Sequence, residues 1–268
     1  MSTSKASLIA AALVVAAACH RPAEAPPASG PSPAPARQAV DINDGERLIR
    51  AMYARYADRW YKTATFVQRT TIYRGQTPTT QTWYESMMLP GRLRIDVGNP
   101  SAGNGTLFRV DSIYTMSGAR VANAVEGYNN LMVLGFDVYT QPPEVTISIL
   151  RHQGFQLSKL HTDDFGGKAV YVVGATSRYD STSKQFWVER DRLLFVKAQE
   201  ANASKQLRAE LFLDYVPAGK TWMARQVWQY LGGQPRVHEE YSDIKTDVDL
   251  DAGLFDPRTW STARHWVK

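Results

Sequence analysis

The sequence predicts a mainly β domain of α+β composition: one curved antiparallel sheet or incomplete barrel, an N-terminal helix, and a mid-chain pair of short apolar helices. Three observations carry this. Apolar residues recur at helical spacing only near the start of the domain, the period then falls to two over many short runs, and one apolar stretch without that alternation interrupts the series.

The first 41 residues stand apart from this pattern. Lys5 supplies a positive start, the apolar run Leu8–Ala18 follows, and Ala16-Ala17-Ala18 precedes Cys19, the single cysteine of the 268 residues. Such a run is too short for a permanent bilayer span and reads as a signal peptide over residues 1–18. The junction resembles a lipobox, with Ala16 where Leu or Val is preferred, so Cys19 is expected to become a lipidated N-terminus carrying palmitate-like chains. Two or more such chains anchor a protein stably. The plainer alternative is an ordinary secretory signal with a coincidental cysteine. Residues 19–41 continue as a Pro/Ala-rich segment that cannot bury a core and reads as a disordered tether. At about 3.1 Å per residue in polyproline geometry it reaches roughly 60 Å from a lipid surface. His20 stands where enterobacterial lipoproteins carry an inner-membrane Asp signal, which favours the outer membrane, facing the periplasm.

Residues 42–268 are long enough for a single domain with a sizeable core. The net charge of +5 is modest, and its bases are scattered among acids, so nucleic acid is not expected as a partner. Asn43-Asp44-Gly45-Glu46 opens the domain with a capping-box pattern in which Glu46 reaches back to the helix start. Ile49, Met52, Tyr53, Tyr56 and Trp60 then form one helical face. Aromatic- and Thr-rich runs containing Phe66, Tyr73, Trp83 and Tyr84 flank Arg74-Gly75-Gln76-Thr77-Pro78 as a hairpin. In Arg92–Val97, Leu93, Ile95 and Val97 share one face and three charges the other, which predicts one wet side. Further strands are expected at Leu107–Val110, Ser112–Met116, Ala169–Ala175, Gln185–Glu189, Leu193–Gln199, Leu207–Tyr215, Ala224–Leu231 and Val237–Ile244. Turns at Gly166-Gly167, Asp180-Ser181, Pro217-Ala218-Gly219 and Gly232-Gly233 separate the later ones.

The interruption runs from about Asn123 to Gln153. Leu131-Met132-Val133-Leu134 with Phe136, and Val145, Ile147, Ile149 and Leu150 after Pro142-Pro143-Glu144, predict two short apolar helices. Their role is either a mobile lid, which Gly127 and Gly135 in the first of them favour, or a permanent plug. Met87, Met88, Met116 and Met132 suit a pocket of variable shape.

Sites for chemistry are sparse. The chain has no Gly-x-Ser-x-Gly elbow, Walker loop, dinucleotide fingerprint or His-Glu-x-x-His, so no enzyme, cofactor or metal is expected. His152 and His161 with Asp163 or Asp164 are better explained as surface loop residues than as metal ligands. Asp247, Asp249 and Asp251 mimic a calcium loop, but Ala252 replaces its glycine and Arg258 its last ligand.

One helix, an aromatic hairpin, a strand after Leu89-Pro90-Gly91, two apolar helices and a return to strands together resemble the LolA/LolB superfamily of lipoprotein carriers and receptors. Glu240-Tyr241-Ser242-Asp243-Ile244 followed by Leu254-Phe255 is similar to that group's closing strand and terminal Phe segment. The resemblance covers roughly Glu46 to Pro257. It implies a strongly curved open half-barrel whose apolar cavity takes acyl chains, with the helix pair as lid or plug. Candidate cavity or lid residues are Phe66, Trp83, Met87, Leu93, Ile95, Val97, Leu131, Met132, Leu134, Phe136, Ile147, Leu150, Phe186, Val188, Leu211 and Leu213. The family's carriers close their lid through an arginine directly before the strand-opening proline. Here that position is Leu89, and Arg94 is the basic residue found after the proline in many relatives. The implied function is non-enzymatic: a lipid-anchored envelope lipoprotein that binds lipid acyl chains or lipoproteins during their sorting or transport. The alternative is an envelope sensor or interaction module like RseB, with an envelope protein as partner.

Overall fold

The computed structural model describes residues 41–75 and 77–267; the signal segment, Cys19 and the tether up to Val40 lie outside the described residues. The domain is mainly β. Its first helix, α1 (Gly45–Tyr56), is capped by the Asp44 carboxylate, which accepts from Arg47 N at 2.8 Å. Glu46 does not reach back as the capping-box pattern implied. With Asp44 as the cap it is the second helical residue, one short of the required position, and it pairs instead with Arg151.

Six strands then run as a meander: β1 (Thr63–Ile72), β2 (Thr79–Met88), β3 (Arg92–Val97), β4 (Gly105–Arg109), β5 (Ser112–Ser117) and β6 (Arg120–Glu126). Two helices, α2 (Asn130–Gly135) and α3 (Pro143–His152), are joined by a 3-10 turn at Asp137–Tyr139. A second meander follows: β7 (Leu160–Phe165), β8 (Lys168–Val173), β9 (Gln185–Glu189), β10 (Leu194–Ala201), β11 (Leu207–Ala218), β12 (Thr221–Leu231) and β13 (Gln234–Thr246). The two meanders meet where β1 pairs antiparallel with β13, giving one 13-stranded sheet in the order β6-β5-β4-β3-β2-β1-β13-β12-β11-β10-β9-β8-β7. The sheet is not closed, since β6 and β7 are its outer strands.

One face of the sheet carries the helices. Leu48, Ile49 and Met52 of α1, Ile147 and Leu150 of α3, and Leu134 of α2 share one buried cluster with Phe66, Phe186, Val188, Phe195 and Phe212 from the strands. At its centre Trp60 stacks on Tyr139 with ring centroids 3.9 Å apart, and Tyr56 meets both rings edge-on. Tyr139 is fixed further by the Phe195 N–H, which donates to its hydroxyl at 2.9 Å.

The opposite face differs from expectation at β3. Of the three charges there, only Arg92 is exposed, while Arg94 and Asp96 are buried. The C-terminal segment beyond β13 folds across them. Arg94 makes two 2.8 Å bonds to Asp96 and donates to Trp260 O at 2.9 Å, with its guanidinium 3.7 Å from the Trp260 ring. His265 Nε2 lies 3.0 Å from Asp96, and Trp266 Nε1 donates to Ser86. Leu107, Met116, Leu254, Phe255 and Trp260 form a second small core beneath this strap, with Met88 packed against it. A buried ion pair needs such full hydrogen bonding to offset its lost hydration. The reason for the misread face is non-local: its cover comes from more than 160 residues away.

Candidate ligand cavity

Alternation decides which side chains face the helices. In β1, Phe66 and Gln68 share the inner face; in β2, Trp83, Glu85 and Met87 do; in β3, Leu93 and Ile95 do. The register then lines them up across strands. Phe66 stands opposite Glu85, Glu85 opposite Ile95, and Ile95 opposite Thr106, while Gln68 lies between Trp83 and Tyr241. These rows form the floor of a cavity of ≈ 290 Å³. Phe108 of β4, Phe212 of β11, Gln229 of β12 and Val237 and Glu239 of β13 complete its walls.

Helix α2 forms the roof. Asn129 caps it by accepting from Leu131 N at 2.9 Å, which turns Leu131, Met132 and Phe136 toward the cavity. Leu134 turns away into the core. Gly135 has a packing reason that the sequence did not disclose: a Cβ there would stand 2.4 Å from the Phe212 ring. Gly127 lies before the helix, not within it. The segment after α2 is fastened to the turn between β2 and β3, because Asp137 accepts from the Gly91 N–H at 2.8 Å. Leu89, where carriers of the resembling family have arginine, makes an apolar contribution to the core instead. Burial raises the Asp137 carboxyl to about 7, and the Gly91 bond opposes that rise.

The cavity opens beside a second, polar hollow of ≈ 450 Å³ that shares Phe108, Asn129, Leu131 and Gln229 with it. Lys184, Glu200, Arg208 and Glu210 line this vestibule, held as the pairs Lys184–Glu200 at 2.8 Å and Arg208–Glu210 at 2.7 Å.

Eight of the sequence candidates line the apolar cavity: Phe66, Trp83, Met87, Leu93, Ile95, Leu131, Met132 and Phe136. Leu134, Ile147, Leu150, Phe186 and Val188 belong to the packed core. Leu211 and Leu213 flank Phe212 and so occupy the other face of β11, and half-buried Val97 lies outside the lining. Met87 and Met132 reach the cavity, whereas Met88 and Met116 join the outer core.

Sequence reading missed the polar residues of the lining. Glu85 is buried and its carboxyl is pushed well above its usual range by burial and by the nearby Glu239. Glu239 accepts from the Tyr241 hydroxyl at 2.8 Å and from Gln229 Nε2 at 3.2 Å, and burial raises it to about 7. Gln68 donates to Thr70 at 2.8 Å while its Oε1 is buried without a partner. The signal was present: Glu85 shares the strand parity of Trp83 and Met87.

His152, His161, Asp163 and Asp164, weighed as metal ligands, lie on elements and not in surface loops: His152 ends α3, and the other three are on β7. Asp251 accepts from Gly253 N and Arg264 N, Asp249 pairs with Arg264, and Asp247 accepts from Lys62 N. His161 lies 3.0 Å from Ala175 O, and Asp163 pairs with Arg178. Among the described residues no group of three or more His, Cys, Asp or Glu side chains is placed to hold a metal ion.

No family model matches the sequence, and no curated protein does. Solved structures do match the fold. A domain named for outer membrane lipoprotein sorting, from Vibrio parahaemolyticus, superposes with a TM-score of 0.54 at 12% identity, covering 81% of this chain and 98% of that one. A DUF1329 family protein from Desulfovibrio piger gives 0.52 at 15% identity, covering 79% and 95%. A LolA superfamily protein from Nitrosomonas europaea gives 0.50 at 10% identity, covering 79% and 97%. At these identities the likeness establishes a LolA-like fold.

Proposed function

We propose that this chain is a non-enzymatic, lipid-anchored envelope lipoprotein whose sheet bends into an open half-barrel and holds an acyl chain, from a lipid or a lipoprotein, in the cavity beneath α2. The observation that carries this reading is the apolar cavity of ≈ 290 Å³. Its size is close to the lower end of ligand pockets, about 300–1,000 Å³, and about twice the roughly 150 Å³ that admits a benzene-sized guest. Bending is supported by the lining itself. Phe108 on β4 and Phe212 on β11 stand six strands apart in the sheet order, about 29 Å if flat, yet border one hollow. Roughly ten buried methylenes at about 0.8 kcal/mol each provide on the order of 8 kcal/mol toward binding. The LolA-like fold of the matching structures, one of them named for lipoprotein sorting, agrees with a role in carrying or receiving such molecules.

Anchoring through Cys19 places the domain on a membrane at the end of its tether, and the outer membrane is the proposed site. Native mass spectrometry of the full chain, extracted gently from its own membranes, tests the cavity: an added mass matching an acyl lipid is expected, and a bare chain in every preparation would reject the reading. Cys19→Ser tests the anchor separately. The variant is expected in the soluble fraction, and absence of label from a palmitate analogue on the wild-type chain would exclude lipidation.

A further inference from the structure

The cavity has a chemical bias that an acyl-chain site does not need. Among the described residues two carboxyl groups, Glu85 and Glu239, line it, and no Lys, Arg or His does. Four of its donors are engaged inside the protein: Tyr241 and Gln229 donate to Glu239, Gln68 Nε2 to Thr70, and Trp83 Nε1 to Gln81, and the Thr106 hydroxyl and Asn129 amide are its other, uncharged donors. An acceptor is left over. Gln68 is 1% exposed, and its Oε1 has no partner. A buried acceptor without a donor costs about 1–3 kcal/mol, and Glu239 adds to burial in holding the Glu85 carboxyl up, so the two resist joint ionisation. Positive charge on a ligand favours ionisation of the carboxyls, and N–H groups on it satisfy the acceptor. Aromatic rings from Phe66, Trp83, Phe108, Phe136, Phe212 and Tyr241 surround the same space, and ring faces attract ammonium groups.

We propose that the cavity selects a cationic amphiphile, an alkyl or acyl chain bearing an ammonium group, which sits between Glu85 and Glu239 with the chain along the apolar wall under α2. The proposal rests on the reading of this cavity as a lipid site and specifies the head group it prefers. Burial holds both carboxyls toward the protonated form in the empty site, so entry of a fixed cation is accompanied by release of a proton from the carboxyl pair to solvent. The groups facing this pair are few. Tyr241 is on β13 with Glu239, Glu210 on β11 is paired with Arg208, and the Lys184–Glu200 pair stands farther out in the vestibule. The overall charge of +5 works against the preference, since it attracts anionic amphiphiles at long range.

The test uses the full chain with Cys19→Ser and three probes below their micellar concentrations: the neutral dye N-phenyl-1-naphthylamine, dodecyltrimethylammonium and laurate. The quaternary cation is expected to displace the dye at a concentration at least tenfold below that of laurate, and calorimetry in buffers of different ionisation enthalpy is expected to register proton release. Glu85→Gln with Glu239→Gln preserves shape and should abolish both the preference and the proton release while the dye still binds. Equal or better displacement by laurate in the wild-type cavity, or an unchanged preference in the double variant, would overturn the proposal and leave the lipid-site reading standing. Failure of the dye and both amphiphiles to bind would overturn the two together.

Discussion

The inner face of the sheet is filled at one end and hollow at the other. Over β8–β10, Val173, Phe186, Val188, Leu194 and Phe195 are fully buried, with Phe155 edge-on to Phe186 at 5.5 Å and Phe195 edge-on to Phe212 at 5.2 Å. Over β1–β4 and β13 an equally aromatic lining leaves ≈ 290 Å³ unfilled. Composition does not distinguish the two ends; their roofs do. The filled end meets the start of α1, where Gly45 stands against Val173, and Phe155 just after α3, whereas the hollow is roofed by the six residues of α2, which also reach β10. Apolar strands border a hollow where the chain supplies too little helix to cover them.

This contrast predicts graded responses. Phe186→Ala at the filled end is expected to cost about 3–5 kcal/mol in urea unfolding, because its neighbours cannot close the gap. A value below about 1 kcal/mol would mean that this end is also loose. The hollow end should respond to pH. Glu239 and Asp137 have folded pKa values raised to about 7, above their ordinary 4.5 and 3.8. The stability these two groups contribute is therefore fully present below about pH 4 and is lost as pH rises to about 7, by on the order of 3–4 kcal/mol for each group, opposite in sign to the lowered carboxylates Glu189 and Asp256. Thermal melts across that range check the sign, and Glu239→Gln should flatten part of the slope. Leu131→Ala, whose side chain already borders empty space, should cost less than about 1 kcal/mol while weakening dye binding. Smallest of all is Arg92→Ala at the one exposed position of β3, expected within about 0.5 kcal/mol in the same melts.

Much of this architecture was legible because strand alternation is local. Leu93, Ile95 and Met87 reach the cavity by parity alone, and the hairpin at Arg74–Pro78 follows from its turn residues. Other features lacked a local signal. The seven residues of β6 are all exposed and show no apolar period, so the sequence predicts no strand there and its second half falls within the helical interruption. Arg94 and Asp96 looked solvated because nothing nearby announces Trp260 and His265 as their cover. For the site, apolar positions were found and acidic ones were not. Glu85 and Glu239 violate the expectation that charge faces water, and a violation of that kind marks the hollow better than another leucine would.

The pairing of β1 with β13 has a consequence for biosynthesis. Ile72 finds its partner at Val237, so the strand that opens the sheet waits for the strand that ends it. Until the ribosome has passed Thr246, β1 and β12 both present unpaired edges, and the hollow between them has no third wall. Such long-range closure is slow, and open edges invite pairing between nascent chains. A chain cut short before β13 is therefore expected to aggregate rather than fold into a smaller domain, which makes the last thirty-odd residues the step that commits the protein to solubility.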